Sequence, residues 1–278
     1  MAQTYLHGRW PAVRSLAIAV CGQHNSHVNE TQLNRYARQT RLLEVGEKGQ
    51  RRLLDSRVLI IGAGGLGSPV AMYLAAAGVG HLLISDFDRV DESNLQRQIV
   101  HGQANLGESK ASSAKNALLR LNPSIRVDAF DYELDGDELR EQADKADVLV
   151  DCSDNFPTRF TLNRVSLSTS TPLVCGAAIR WQGQVVTFVP DRQDSPCYQC
   201  LYPDESVEAA TCAAEGILAP IVGIIGSLQA LEVLTILLDA GPGLCGQVLL
   251  FDGLAMECQT IALPKKARCP ACSLSRPR

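Results

Sequence analysis

The chain has 278 residues, 46% of them apolar, and a formal net charge of −4. That length suits one large α/β domain or two small ones, and the weakly acidic balance excludes a general affinity for nucleic acid. Its 10 cysteines, with no convincing cleavable leader, point to reduced, metal-bound thiols in a cytoplasmic protein rather than to disulfides.

Residues 1–34 are polar and without clear periodicity, and read as a flexible extension. Within them the run Leu16 to Cys21 follows Arg9 and Arg14 but is too short for a signal sequence. A helix is expected over about 35–54, then strands near 57–61 and 81–85 with a helix over 66–77 between them. Further strands are expected near 125–129, 147–151, 173–178 and 183–189, and helices near 108–121, 136–144 and 155–169. Gly216 to Leu238 is long enough to span a bilayer. It contains Pro220, Gln229 and Glu232, however, and reads as a buried core helix with no membrane role. Strands near 247–252 and 258–263 complete the pattern. The alternation predicts an α/β fold with a Rossmann-like sheet, parallel then mixed, and helices on both faces. The organisation expected is one domain over 35–278 behind the extension.

The run Val58 to Ile61 ends in GAGGLG, Gly62 to Gly67, and the next apolar run ends at Asp86. A strand, tight turn, helix, strand and acidic residue in that order grip a nucleotide. The backbone at Gly62, Gly64, Gly65 and Gly67 approaches phosphates, and Asp86 takes ribose hydroxyls. The commonest ligand of such a turn is a dinucleotide. Arg97 and Lys110 instead suit the concentrated charge of a polyphosphate, and no GxxxxGK[ST] loop is present. The fourth strand ends in Asp151-Cys152-Ser153-Asp154-Asn155. Asp154 there is either a hard oxygen ligand for Mg²⁺ or the N-cap of the following helix.

Cys197 and Cys200 form one CxxC pair, Cys269 and Cys272 another. Two such pairs frame a tetrahedral zinc site with four thiolates. A closed shell of sulfur makes this zinc structural, a clip for the C-terminal tail. Cys152, Cys175, Cys245 and Cys258 stand in or beside apolar runs and read as packing residues.

GAGGLGS at 62–68, DFD at 86–88, NLQRQ at 94–98, Lys110, DCSDN at 151–155 and CYQC at 197–200 together resemble the bacterial ubiquitin-like-protein adenylyltransferases. These are relatives of the ubiquitin-activating enzymes. The resemblance runs from about Arg35 to Cys272. Gly176 to Arg180 followed by Gly183-Gln184 is most similar to the branch acting on molybdopterin synthase, with the thiamine-biosynthesis branch as sibling. The resemblance implies that Asp86 holds the ribose, that Gly65, Asn94, Arg97 and Lys110 line the phosphates, and that Asp154 coordinates Mg²⁺. It also implies that Arg38 enters a neighbouring subunit's site in a homodimer; taken alone, Arg38 reads as a surface charge. Cys212 matches a cysteine that forms a covalent sulfur link in the thiamine branch, and is otherwise an ordinary loop thiol.

The reaction so implied is MgATP-dependent adenylation of the C-terminal glycine of a small ubiquitin-like sulfur carrier ending in Gly-Gly, with release of pyrophosphate. The expected carrier is the small subunit of molybdopterin synthase, in molybdenum cofactor biosynthesis. The chain stops soon after Cys272, so the sulfur is expected from a separate donor protein. Two alternatives stay open on the sequence. One is the same chemistry on a thiamine-type or specialised thio-metabolite carrier. The other is an NAD-binding oxidoreductase or a non-catalytic nucleotide-binding scaffold.

Overall fold

A computed structural model describes residues 34–203 and 215–273. The expected extension lies, apart from Asn34, outside the described residues, as do Cys21 and Cys212. The described residues build one eight-stranded sheet. In chain order its strands are β1 (Arg57–Ile61), β2 (His81–Ser85), β3 (Arg126–Phe130), β4 (Val148–Asp151), β5 (Leu173–Ile179), β6 (Gln182–Phe188), β7 (Gln247–Asp252) and β8 (Glu257–Ala262). Their spatial order is β3-β2-β1-β4-β5-β6-β7-β8. The first five run parallel and the last three continue antiparallel.

The helices are α1 (Gly46–Asp55), α2 (Gly67–Ala77), α3 (Lys110–Leu121), α4 (Gly136–Asp144), α5 (Phe156–Thr169), the short α6 (Tyr198–Leu201) and α7 (Ala219–Leu238). Strand residues alternate between two cores. Val58 and Ile60 pack with Val70 and Leu74 of α2, Leu118 of α3 and Ile225 of α7. Leu59 points the other way, into a core shared with Leu139 of α4, Phe160 of α5 and Tyr198 of α6. Burial on both faces is why these strands read as continuous apolar runs rather than alternating ones. Local signals set the helix starts. Ser109 caps α3 by accepting from Ser112 N, Asn155 caps α5 by accepting from Thr158 N, and Pro157 and Pro220 stand in the first turns of α5 and α7.

Two expectations need correction. The single helix over 35–54 is broken: a helical turn at 34–36 leads through turns to α1. Tertiary anchors override the local pattern there. The Tyr36 ring is buried over Gly78, its hydroxyl accepts from Asn122 Nδ2, and Gln39 Nε2 donates to Ala77 O at 2.8 Å. Gly46 then takes a left-handed φ of +53°. Cys258 is the second correction. It is exposed, because every residue of the sheet's last strand is exposed. Cys152 and Cys175 are buried as expected.

Helix α7 is 20 residues long and apolar enough to cross a bilayer. One face is packed on α2, β5 and β6, while Ile224 and Leu231 on the other are exposed, so it is a half-buried core helix. Its polar residues have partners. Gln229 Nε2 donates to Asp151 O at 2.8 Å. Glu232 Oε2 accepts from Thr187 Oγ1 and from Leu244 N, both at 2.7 Å. Glu232→Leu makes the helix more apolar but strands one buried and one part-buried donor, which costs about 1–3 kcal/mol. Urea unfolding should show this loss; equal or higher stability in the variant contradicts the assignment.

Candidate functional site

The strand order turns back between β1 and β4, and ligands of open α/β sheets bind outside the carboxyl ends at such a point. A cavity of about 940 Å³ opens there. The turn after β1 forms its floor. Gly62 has a φ of +96°, and a Cβ on it would lie 2.8 Å from Cys152 O. A Cβ on Gly67 would lie 1.9 Å from Gly62 O. Only glycine lets the turn close this tightly onto the β4 corner and lets backbone amides approach a ligand. No side chain caps the N-terminus of α2, which leaves its positive dipole end at the cavity.

Of the residues singled out in the sequence, Gly62, Gly64, Gly65, Asp86, Arg97, Lys110 and Asp154 line this cavity. Asp86 Oδ2 accepts from Ala63 N at 2.7 Å and Oδ1 from Asp88 N at 2.9 Å. Burial raises its carboxyl above the usual range, against the pull of these two donors and of Lys110. The Lys110 side chain is nearly enclosed, and its Nζ meets Asp88 Oδ2 at 2.7 Å. Arg97 donates to Ser93 O and to Asn94 Oδ1, both at 3.1 Å, leaving further guanidinium donors for a ligand. Asn94, Gly67 and, within its own chain, Arg38 do not line the cavity.

Of the two readings of Asp154, the N-cap is ruled out by its neighbour. Asn155 Oδ1 accepts from Thr158 N at 2.9 Å and caps α5. Asp154 is exposed on the cavity wall and makes no hydrogen bond among the described residues, so its carboxylate is available to a cation.

Sequence reasoning missed three supporting residues. Gln98 is buried beside Gly64 and donates to Asn94 Oδ1 at 3.0 Å. Since Arg97 can only donate, Asn94 Oδ1 must be the acceptor for both. His101 is buried, its Nε2 at 3.0 Å from Ala63 O and its Nδ1 at 2.9 Å from Ser113 Oγ. A carbonyl only accepts, so Nε2 carries a proton, and burial holds the ring's pKa below its ordinary value. Asp88 is the third, as the partner of Lys110. Asp88 and Gln98 lay inside the motifs DFD and NLQRQ, whereas no spacing marks His101.

The four cysteines converge. Cys197 stands at the N-cap of α6 and Cys200 lies within it, and Cys269 and Cys272 return from the tail. All four Sγ atoms lie within 4.8 Å of one another and are buried. Sulfur separations of 3.6, 3.6 and 4.0 Å match the roughly 3.8 Å edge of a tetrahedron with metal–sulfur bonds of about 2.3 Å, and are far longer than a disulfide. Lys266 N points at Cys200 Sγ at 3.5 Å, a donor suited to a thiolate. The donor set fits zinc, with no open position for water.

A profile of the ThiF family matches residues 36–271. The chain is 44% identical over 248 residues to the SAMP-activating enzyme E1 of Haloferax volcanii, covering 88% of this chain and 90% of that protein. It is 40% identical over 245 residues to the Escherichia coli sulfur carrier protein ThiS adenylyltransferase, covering 88% and 97%. It is also 40% identical over 247 residues to the E. coli molybdopterin-synthase adenylyltransferase, covering 89% and 99%. Among solved structures, E. coli MccB with ATP superposes with a TM-score of 0.73 at 21% identity, over 88% of this chain and 75% of that one; the likeness is one of fold.

The cysteine geometry carries its own test. Purified protein should contain one zinc per chain by elemental analysis, and Cys269→Ser should lower both zinc content and melting temperature. Thiolate zinc contributes on the order of 10–16 kcal/mol in small peptides. A folded, metal-free preparation with unchanged melting contradicts the site.

Proposed function

The chain belongs to the ThiF family, and from that premise we propose that it adenylates the C-terminal glycine of a small ubiquitin-like sulfur carrier. MgATP is the co-substrate and pyrophosphate the leaving group. The single observation that carries the reading is the cavity. It gathers the glycine turn, Asp86, Arg97, Lys110 and Asp154 at one end and continues past Ala178, Gln184 and Leu250 over the antiparallel strands. A nucleotide fits the first part; an extended peptide tail fits the second. Beyond it, Trp181, Leu254, Met256 and Ile261 are exposed, an apolar surface suited to a protein partner.

The chemistry follows from charge placement. The carrier's carboxylate is ionised at neutral pH, so its attack on the α-phosphorus needs no protein base. A mixed anhydride forms as the bond to pyrophosphate breaks. Arg97 and Lys110 neutralise charge growing on the leaving group, in a site where their positions are already fixed. Asp154 holds Mg²⁺, which when bound adds positive charge at the phosphates. The sulfur nucleophile that later attacks the anhydride comes from a separate donor protein; Cys212 is the candidate thiol on this chain.

The finer reading is the molybdopterin-synthase branch, within molybdenum cofactor biosynthesis in the cytoplasm. Its support is the segment from Gly176 to Gln184, whose Ala177, Ala178, Ile179 and Gly183 form the cavity wall on the tail side. A homodimer is part of the proposal. Arg38 stands outside its own cavity, in a turn whose Leu42 and Leu43 are exposed, and Tyr73, Ile99 and Leu231 form an exposed apolar groove beside Pro220.

ATP–pyrophosphate exchange with purified carriers tests this. Exchange dependent on the molybdopterin-synthase small subunit is expected. Exchange with a thiamine-pathway carrier alone overturns the branch, and none with any Gly-Gly carrier overturns the activity. Lys110→Ala and Arg97→Ala should each slow exchange ~10²–10³-fold while leaving thermal unfolding nearly unchanged; wild-type rates in both would remove them from the site. Mixing inactive Arg38→Ala and Asp154→Ala chains tests the shared site. Random exchange gives half mixed dimers, each with one intact site, so activity should recover to about a quarter of wild type. No recovery after proven subunit exchange means that Arg38 acts within its own chain or not at all.

A further inference from the structure

We infer that Arg159 is a positioning residue that sets the Ser153–Asp154 corner of the nucleotide site, and that Tyr198 ties this clamp to the cysteine centre. The inference rests on the proposed role of Asp154 toward Mg²⁺. Arg159 lies near the start of α5 with its side chain 12% exposed, and Asp151, at the end of β4, is fully enclosed. Arg159 Nε stands 3.9 Å from Asp151 Oδ2. Arg159 Nη2 donates to Ser153 O at 2.9 Å and, at a longer 3.4 Å, to Gly176 O. Ser153 in turn donates its N–H and its hydroxyl to Asp151 Oδ1, at 3.0 and 2.6 Å. All three polar groups of Ser153 are therefore committed to one buried ion pair. The residue that follows is Asp154, which has no hydrogen bond of its own among the described residues. The peptide before it and the Asn155 cap after it decide where its carboxylate points.

The cluster is poorly arranged for stability alone. Asp151 Oδ2, Arg159 Nε and the Tyr198 hydroxyl are all buried without a hydrogen bond of ordinary geometry. Apolar residues of equal volume would pack as well or better. A buried charge pair does supply direction, because a guanidinium facing a carboxylate in a low-dielectric site has few orientations open to it. Burial opposes the charge on Arg159, yet the facing carboxylate and Tyr198 raise its pKa above its ordinary value.

Tyr198 extends the clamp. It stands between Cys197 and Cys200 in the knuckle, with its hydroxyl beside the Arg159 guanidinium. Its N–H donates to Asn163 Oδ1 at 2.9 Å, and its ring meets Phe160 edge-on at 5.3 Å. Asn163, Phe160 and Arg159 all belong to α5. The helix that carries the clamp is thus docked on the knuckle through Tyr198, while its Leu167, two turns on, packs against the cysteines themselves.

The test is a calorimetric titration of the full chain with an α,β-methylene ATP analogue at graded MgCl₂, alongside zinc content and melting temperature. Arg159→Gln should raise the Mg²⁺ concentration for half-maximal nucleotide binding about tenfold, as loss of an outer partner does at other metal sites. Arg159→Lys should recover part of it, and zinc should stay at one per chain. Tyr198→Phe should shift the Mg²⁺ requirement in the same direction by less. If Arg159→Gln does not fold because Asp151 is left charged and unpaired, Asp151→Asn with Arg159→Gln removes both charges and is read instead. Asp154→Ala separates the two claims. A defective Asp154→Ala beside a folded Arg159→Gln with wild-type Mg²⁺ dependence overturns the clamp and leaves the Asp154 reading intact. Wild-type Mg²⁺ dependence in Asp154→Ala overturns that reading and the clamp with it. A wild-type Tyr198→Phe overturns the link to the cysteine centre.

Discussion

The carboxyl edge of the sheet depends on how closely two turns approach each other, the glycine turn after β1 and the Cys152–Asn155 corner after β4. Parallel pairing brings their strands side by side, with Ile61 opposite Asp151. Cys152 N donates to Ile61 O at 2.9 Å, and Gly62 N to Ser85 O at 2.8 Å. Any side chain at Gly62 would strike the Cys152 carbonyl. With the turns locked, the carboxylate of Asp86, the cations Arg97 and Lys110, and the corner at Asp154 face one cavity. A shift of one ångström in either turn would separate groups that the proposed reaction needs around the same few phosphate oxygens.

Much of this was legible in the chain because the local and tertiary signals agree. β2, α4 and β7 fall where apolar runs and turn residues place them. The glycine turn is readable because its constraint is local: a strand ends, the backbone reverses, and a helix begins within six residues. The unread parts are those fixed at long range. Nothing near Arg35 announces that Tyr36 will cover Gly78, so a continuous helix looked right. Asp154 and Asn155 are both good caps by type, and only the structure shows that Asn155 takes Thr158 N. His101 carries no motif because its partners lie 38 and 12 positions away, and Arg159 none because its contacts run to the irregular corner at Ser153 and across to Gly176 on the next strand.

The electrostatics at this edge are costly on purpose of geometry rather than of stability. Asp86 is half-buried and Asp151 buried, burial raises the pKa of both carboxyls, and each is compensated by donors from the turns around it. Those donors do double duty. Ala63 N and Asp88 N orient Asp86, and the same residues link onward to His101 and Lys110. Fixing the dipoles and charges before a ligand arrives removes reorganisation from the reaction itself, which is where such sites gain most.

The sheet also explains why a dinucleotide-type turn need not mean a dinucleotide. In a doubly wound dinucleotide fold, a second set of parallel strands and helices follows the switch point and receives the second nucleotide half. Here the parallel order ends at β5, and β6 to β8 run antiparallel. The hairpin from β5 to β6 keeps its residues on the cavity wall, with Ala178 and Gly183 paired across it. The site therefore opens along the sheet where a nicotinamide half would otherwise lie. The tail's cysteines return to the knuckle across 72 positions and fasten that half of the sheet to α6. Tyr198 of α6 packs in turn on α5, the helix that starts at the Asp154 corner. The cavity's two ends are thus bordered by different devices, glycine contacts at the β1 turn and the four-cysteine cluster at the other, with α5 running from the Asp154 corner to Leu167 against the cysteines.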